Sequence, residues 1–195
     1  MIAYDLIGQT PLVLLESFSD ENVKIYAKLE QFNPGGSIKD RLGKYLIEKA
    51  IDEGRLKEGD TIVEATAGNT GIGLAIASNR HKVKCIIFAP EGFAEEKISI
   101  MKALGADVRR TPKAEGMTGA QQEALAYATR YGYLYMNQFE TKDNPGAYTQ
   151  TLAKQLTDEL SHIDYFVAGV GSGGTFTGVA QHLKTYDVKN YIVEP

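Results

Sequence analysis

Cysteine occurs once in the 195 residues, histidine three times and tryptophan not at all. A single cysteine excludes a disulfide scaffold. One cysteine and three histidines do not make a Cys/His zinc site, and no metal is expected. No run of 18 apolar residues occurs, which excludes a membrane-spanning helix. The start, MIAYDLIGQTPLVLL, has no Lys or Arg ahead of its apolar residues, and Asp5 and Gln9 interrupt them, so it makes a poor secretory signal. A cytoplasmic location follows as the expectation. Positive charge is not in excess either. Lys and Arg number 21 against 25 Asp and Glu, for a net charge of −4, which argues against binding nucleic acid. What is present is 43% hydrophobic residues, too many for a disordered chain, and 20 glycines with no collagen-like period. A chain of this length holds one or two domains and buries about 70% of its unfolded surface.

Short β-rich runs alternate with helical stretches. Strands are expected at 24–30, 61–65, 83–90, 106–111, 133–137, 164–170 and 190–195, and helices at 38–53, 69–80, 94–104, 118–130, 145–160 and 174–184. Several strands, such as CIIFA and YFVAGV, are bare apolar runs, as expected when helices cover both faces. In the first helix Ile38, Leu42, Tyr45, Leu46 and Lys49 form one stripe, and Gly54 is a natural stop. Asn144 before Pro145 reads as a cap followed by proline at the first helical position. Alternation of this kind implies an α/β fold of βαβ units with a doubly wound parallel sheet. Cys85, inside VKCIIF, reads as a buried strand residue.

Three strand-to-helix turns stand out. The first, NPGGSIKDR, has two adjacent glycines, with Ser37 as a candidate cap. Lys39 falls in the first helical turn, where the positive end of the helix dipole disfavours another positive charge. That suits a lysine that must act as a neutral amine, although a solvated surface lysine is the plainer alternative. The second, EATAGNTG, offers hydroxyls, an amide side chain and free N–H groups at a helix start. It reads either as a carboxylate site or as a tightly capped turn. The third, GVGSGGT, lets the backbone approach an anion closely, and a phosphate is the natural ligand. Gly169, Gly171 and Gly174 also satisfy G-x-G-x-x-G, and Glu194 follows Gly174 by 20 residues. That is a dinucleotide fingerprint, and alone it would favour an NAD-dependent oxidoreductase. It opens almost the last βα unit, however, and leaves Lys39 and the Thr66–Gly71 turn unexplained.

Taken in order, NPGGSIKDR, EATAGNTGIGLA, MNQFE and GVGSGGTFTG resemble the cysteine synthase and cystathionine β-synthase family, pyridoxal-phosphate enzymes with the tryptophan-synthase-like fold (fold type II). The resemblance runs from IGQTPLV to YIVEP. It implies that Lys39 carries pyridoxal 5′-phosphate covalently and that Asn69 bonds the cofactor's ring hydroxyl oxygen. Gly171, Ser172, Gly173, Gly174 and Thr175 would cradle the phosphate, while Thr66, Gly68, Thr70 and Gln138 would hold the substrate carboxylate. The implied reaction is β-replacement on O-acetylserine or serine. Lys39 moves the Cα proton as general base, and a thiol adds, giving cysteine from sulfide or cystathionine from homocysteine. A homodimer is expected, with small amino-acid and thiol substrates and neither nucleic acid nor membrane as partner.

Two departures from the family pattern carry information. Ala67 stands where many cysteine synthases have Ser, and Thr151–Gln155 replaces their usual Thr-Gly-Pro-Glu. Both, with GSGGTFTG, look more like the bacterial branch that makes cystathionine from O-acetylserine. Family chains also continue beyond Val-Glu-Pro, so two doubly wound domains are expected with the larger incomplete. Residues 40–143 would form the smaller, carboxylate-binding domain. Residues 1–39 and 144–195 would be parts of the larger one, without the Ser or Thr that faces the pyridine nitrogen. YIVEP should then present an unpaired edge or an uncovered apolar face. The remaining alternative is a non-catalytic fragment or paralogue.

Overall fold

The computed structural model describes residues 2–194; Met1 and Pro195, the two ends of the expected larger-domain pieces, lie outside the described residues. Its centre is a parallel sheet of four strands in the order β5-β4-β3-β6, where β3 is Thr61–Ala65, β4 Lys84–Pro90, β5 Asp107–Thr111 and β6 Leu134–Tyr135. Register runs Thr61 to Lys84 and Ala65 to Phe88 between β3 and β4, and Ile86 to Asp107 between β4 and β5.

Alternation within the strands divides the core into two layers. Ile62, Cys85, Ile87 and Ala89 point to one face, against Leu42, Leu46 and Ile47 of α1 (Lys39–Asp52) and Ile72, Leu74 and Ala75 of α2 (Asn69–Arg80). Val63, Ala65, Ile86 and Phe88 point to the other, where Ala120, Ala124 and Ala128 of α4 (Gly116–Tyr131) form a stripe small enough to seat the helix close to the sheet. Every residue of β3 is therefore buried, Thr61 and Glu64 included, as expected of a strand covered on both faces. Cys85 is a buried strand residue, as expected. α3 (Glu95–Ala103) connects β4 to β5.

α1 and α2 touch through their backbones. A side chain on Gly73 would fall on the Lys39 carbonyl, and one on Gly43 would fall on the Gly73 carbonyl. Beyond β6 the chain forms α5 (Asp143–Tyr148), a π-helical turn (Thr149–Ala153) and α6 (Lys154–Glu159). The single helix expected over 145–160 is thus interrupted. Thr151 donates its hydroxyl to the Ala147 carbonyl, and Thr149 donates to Pro145 and to Gly178, competing with the regular ladder. Asn144 is not a cap; it lies inside α5, whose cap position is Lys142.

Then follow β7 (Tyr165–Gly169), α7 (Gly174–Leu183) and β8 (Lys189–Val193). β7 and β8 pair parallel as a two-stranded sheet of their own. α7 covers one face, with the Phe166 and Phe176 rings stacked at 6.1 Å. The other face is open: Tyr165, Val167 and Val193 are 59%, 58% and 55% exposed. The exposed apolar strand expected at YIVEP is present as far as Val193.

Near the start, β1 (Leu12–Leu14) and β2 (Tyr26–Lys28) pair antiparallel. This departs from an all-parallel reading, because three-residue strands leave too short a pattern for period two to register. Behind them Arg41, almost fully buried, donates to both Glu30 carboxylate oxygens, to the Gly8 carbonyl and to Gln155, tying residues 8–30 and α6 to the root of α1. Among the described residues no helix is long and apolar enough to cross a membrane.

Candidate active site

The three turns singled out in the sequence lie at the C-terminal ends of β2, β3 and β7, each followed by a helix start. Lys39 is the first residue of α1. The loop before it turns on Gly36, at φ +78°. It is pinned by Asn33, which accepts from Gly8 N–H at 2.7 Å, and by the Asp40 carboxylate, which accepts from Gly35 N–H. Ser37 is not the geometric cap, a position Ile38 occupies, yet its hydroxyl accepts from Lys39 N–H at 3.1 Å. Burial lowers the Lys39 amine below the ordinary lysine range, with no carboxylate opposing the shift. Burial also raises the Asp40 carboxyl to about 6, helped by the Glu30 charge and offset by Gly35 N–H.

In the second turn, Gly68 N–H donates to Thr66 Oγ1 at 3.1 Å. The backbone N–H groups of Ala67, Asn69 and Thr70 meet no acceptor among the described residues. Asn69 opens α2 one helical turn before Gly73, the residue seated on the Lys39 carbonyl. Its side chain makes no hydrogen bond among the described residues. Thr70 donates its hydroxyl to Gln138 Oε1 at 2.7 Å, which brings Gln138 from the loop after β6 onto this turn. In the third turn the N–H groups of Gly171, Ser172 and Gly173 likewise meet no acceptor among the described residues, and Gly173, at φ +82°, swings the chain into α7. Gly174 and Thr175 open that helix. Free amides converging on a glycine turn at a helix start form an anion cradle.

Hydrogen bonds join the turns. Lys39 Nζ donates to Ser172 Oγ at 3.1 Å. Asn144 Nδ2 donates to the same Ser172 Oγ at 3.1 Å and to the Gln138 carbonyl at 2.7 Å. From the lysine of the first turn, through Ser172 of the third and Asn144, a chain of contacts reaches Gln138 and Thr70 of the second. Gln138 N–H in turn donates to Glu64 at 3.1 Å. Glu64, fully buried at the end of β3, has its carboxyl pushed up to about 7 by burial, offset by the N–H groups of Ala65 and Gln138. An amine of lowered basicity thus sits between an anion cradle and a second turn rich in donors. That arrangement can hold a doubly anionic ligand beside a nucleophile or base.

Sequence reasoning did not find Asn144, Glu64 or Asp40. Asn144 precedes a proline, so it reads as a cap. A lone acid in an apolar strand carries one usable signal, since an unpaired carboxylate is seldom fully buried without a task.

A protein-family model described as pyridoxal-phosphate dependent enzyme matches residues 3–195. The chain is 50% identical over 196 residues to an O-acetylserine dependent cystathionine beta-synthase of Bacillus subtilis, an alignment covering 98% of this chain and 64% of that protein. It is 48% identical over 189 residues to a cysteine synthase of Helicobacter pylori, covering 92% of this chain and 60% of the relative. Among solved structures, the O-acetylserine dependent cystathionine beta-synthase from Helicobacter pylori superposes with a TM-score of 0.93 at 45% identity, covering 100% of this chain and 67% of that one. The chain therefore spans about 60% of the length of the curated relatives it matches and has the fold of type II pyridoxal-phosphate enzymes.

Proposed function

The chain belongs to the pyridoxal-phosphate-dependent enzyme family, and from that premise we propose that it performs β-replacement on O-acetylserine or serine with a thiol. The observation that carries this reading is the contact of the Lys39 amine with Ser172, in the same hydrogen-bond chain as the donor turn at Thr66–Thr70. The nicotinamide reading is not favoured.

The residues fit the cofactor. Three free N–H groups and the Ser172 hydroxyl suit a phosphate, and Thr175 lies at the start of the same helix. Gly171 and Gly173 keep the approach open, since a side chain at either would meet nothing within 4 Å. A buried amine with no ion pair among the described residues suits a covalent tether. Asn69, whose side chain is unengaged among the described residues, is the candidate for the ring hydroxyl oxygen. When bound, pyridoxal phosphate supplies the electron sink that lets an amino acid lose its Cα proton and β-substituent.

This chain's residues do the rest. The Thr66, Gly68 and Thr70 turn, braced by Gln138, holds the substrate carboxylate and sets which Cα bond faces Lys39. Burial lowers the basicity of the Lys39 amine, which suits it to take the Cα proton as general base. The balance is one carbon–oxygen bond broken at Cβ and one carbon–sulfur bond formed. From O-acetylserine, acetate leaves and the thiol proton goes to solvent. From serine, hydroxide leaves and takes up a proton as water. In both cases the Cα proton that Lys39 removes is returned to Cα. Homocysteine as thiol gives cystathionine and sulfide gives cysteine. The Bacillus subtilis relative's name and Ala67 support the first pair. Residues 40–143 act as the carboxylate-binding domain and residues 1–39 and 144–195 as parts of the cofactor domain, in a cytoplasmic homodimer.

Reconstitution with pyridoxal phosphate followed by borohydride should fix the cofactor to Lys39, with mass spectrometry locating it. Incubation of O-acetylserine or serine with homocysteine or sulfide should yield the product of matching mass, lost in Lys39→Ala. A chain that takes up no cofactor, or that fixes it elsewhere, overturns the proposal.

A further inference from the structure

Asn144 is 2% exposed, and its NH2 hydrogen-bonds both the Gln138 carbonyl on the substrate side of the site and Ser172 on the cofactor side. The orientation of its amide follows from its partners. The Gln138 carbonyl is an acceptor only, so the group facing it at 2.7 Å must be the NH2. The second hydrogen of that NH2 then goes to Ser172 Oγ. Asn144 Oδ1 is left without a hydrogen-bond partner, buried against Gly174, where any side chain would displace it. A buried carbonyl is seldom left unsatisfied without compensation. The NH2, by contrast, has both of its hydrogens engaged and is held in one pose.

The consequence falls on Ser172. A serine hydroxyl has one hydrogen to give and two lone pairs to accept with. Asn144 fills one lone pair and Lys39 Nζ the other. The hydroxyl hydrogen is left with no acceptor among the described residues, in a turn whose own amides are also free. We infer that Asn144 is a positioning residue that sets Ser172 as a hydrogen-bond donor to the anion held in the 171–175 turn. When Lys39 is engaged with cofactor and gives up its contact, Asn144 is the member of the pair that remains. This inference rests on the cofactor reading above.

The test compares two probes on the full chain, pyridoxal phosphate and pyridoxal, which share the aldehyde and ring and differ in the phosphate. Dissociation constants are read by absorbance for wild type, Asn144→Ala, Ser172→Ala and the double variant. In wild type the phosphate should tighten binding strongly. In Asn144→Ala that phosphate-dependent ratio should fall about tenfold, the size of one hydrogen bond to a charged group. In the Ser172→Ala background the Asn144 substitution should change the ratio little. Should Asn144→Ala fail to fold, Asn144→Asp keeps the volume, removes the donor and should lower the ratio at least as far. Weakening of both probes by one factor assigns Asn144 a merely structural role and overturns the inference. So does a fall in ratio that persists without Ser172. Failure of wild type to bind either probe overturns the cofactor reading instead.

Discussion

β3–β4 and β7–β8 are both parallel pairs, and in the sequence they look alike: TIVEA and CIIFA against YFVAG and YIV. In the structure they part company. The first pair has helices on both faces, and β3 has no exposed residue. The second has α7 on one face and, among the described residues, no cover on the other, so Tyr165, Val167, Tyr191 and Val193 face outward. An apolar run says only that a strand could be covered twice; the packing partner decides whether it is. The site draws on both regions, for the donor turn grows from β3 and the anion turn from β7.

Side-chain truncation should separate the regions most sharply. Ile87→Ala, inside the covered sheet, is expected to cost about 3–4 kcal/mol by denaturant unfolding, and Val167→Ala, on the open face, less than about 1 kcal/mol. Equal costs would mean that the open sheet is covered in solution.

Electrostatics sharpens the contrast next. Glu64 has a folded pKa of about 7, above its ordinary value of 4.5. The folded state therefore holds this proton more tightly than the unfolded chain. Its stabilising contribution is complete below about pH 4.5 and is lost as pH rises through 7. Relative to wild type, Glu64→Gln should gain up to about 3 kcal/mol between pH 4.5 and 8, measured by urea unfolding at each pH. Parallel pH curves for the two proteins would show Glu64 ionised without penalty.

Smallest is the effect of charge on the open face. Val167→Lys should shift stability by no more than about 0.5 kcal/mol. Val63→Lys, which places an ammonium between β3 and α4, should leave no cooperative unfolding transition. A large loss in Val167→Lys would break the comparison.

Much of this organisation was readable in the chain. The helix expected at 69–80 is α2, residue for residue, because Gly68 and His81 bound a clean pattern. All three turns emerged from local composition, since glycines beside hydroxyl residues at a strand end have few other uses. What stayed hidden was non-local. The open face of β7–β8 depends on what does or does not pack there. The π-helical turn at Thr149–Ala153 depends partly on a bond to Gly178, and the role of Asn144 on residues 6 and 28 positions away. No periodicity encodes such contacts.

The crossing of α1 and α2 has a consequence for how the protein can change. Where Gly73 meets the Lys39 carbonyl and Gly43 meets Gly73, the touching surfaces are main chain on both sides. The gap between the lysine and the turn that opens α2 is thus a clearance cut into the backbone itself. Ordinary drift in the neighbouring side chains leaves that clearance untouched. One added methyl group at either glycine would act as a wedge, prising the start of α1 away from the start of α2.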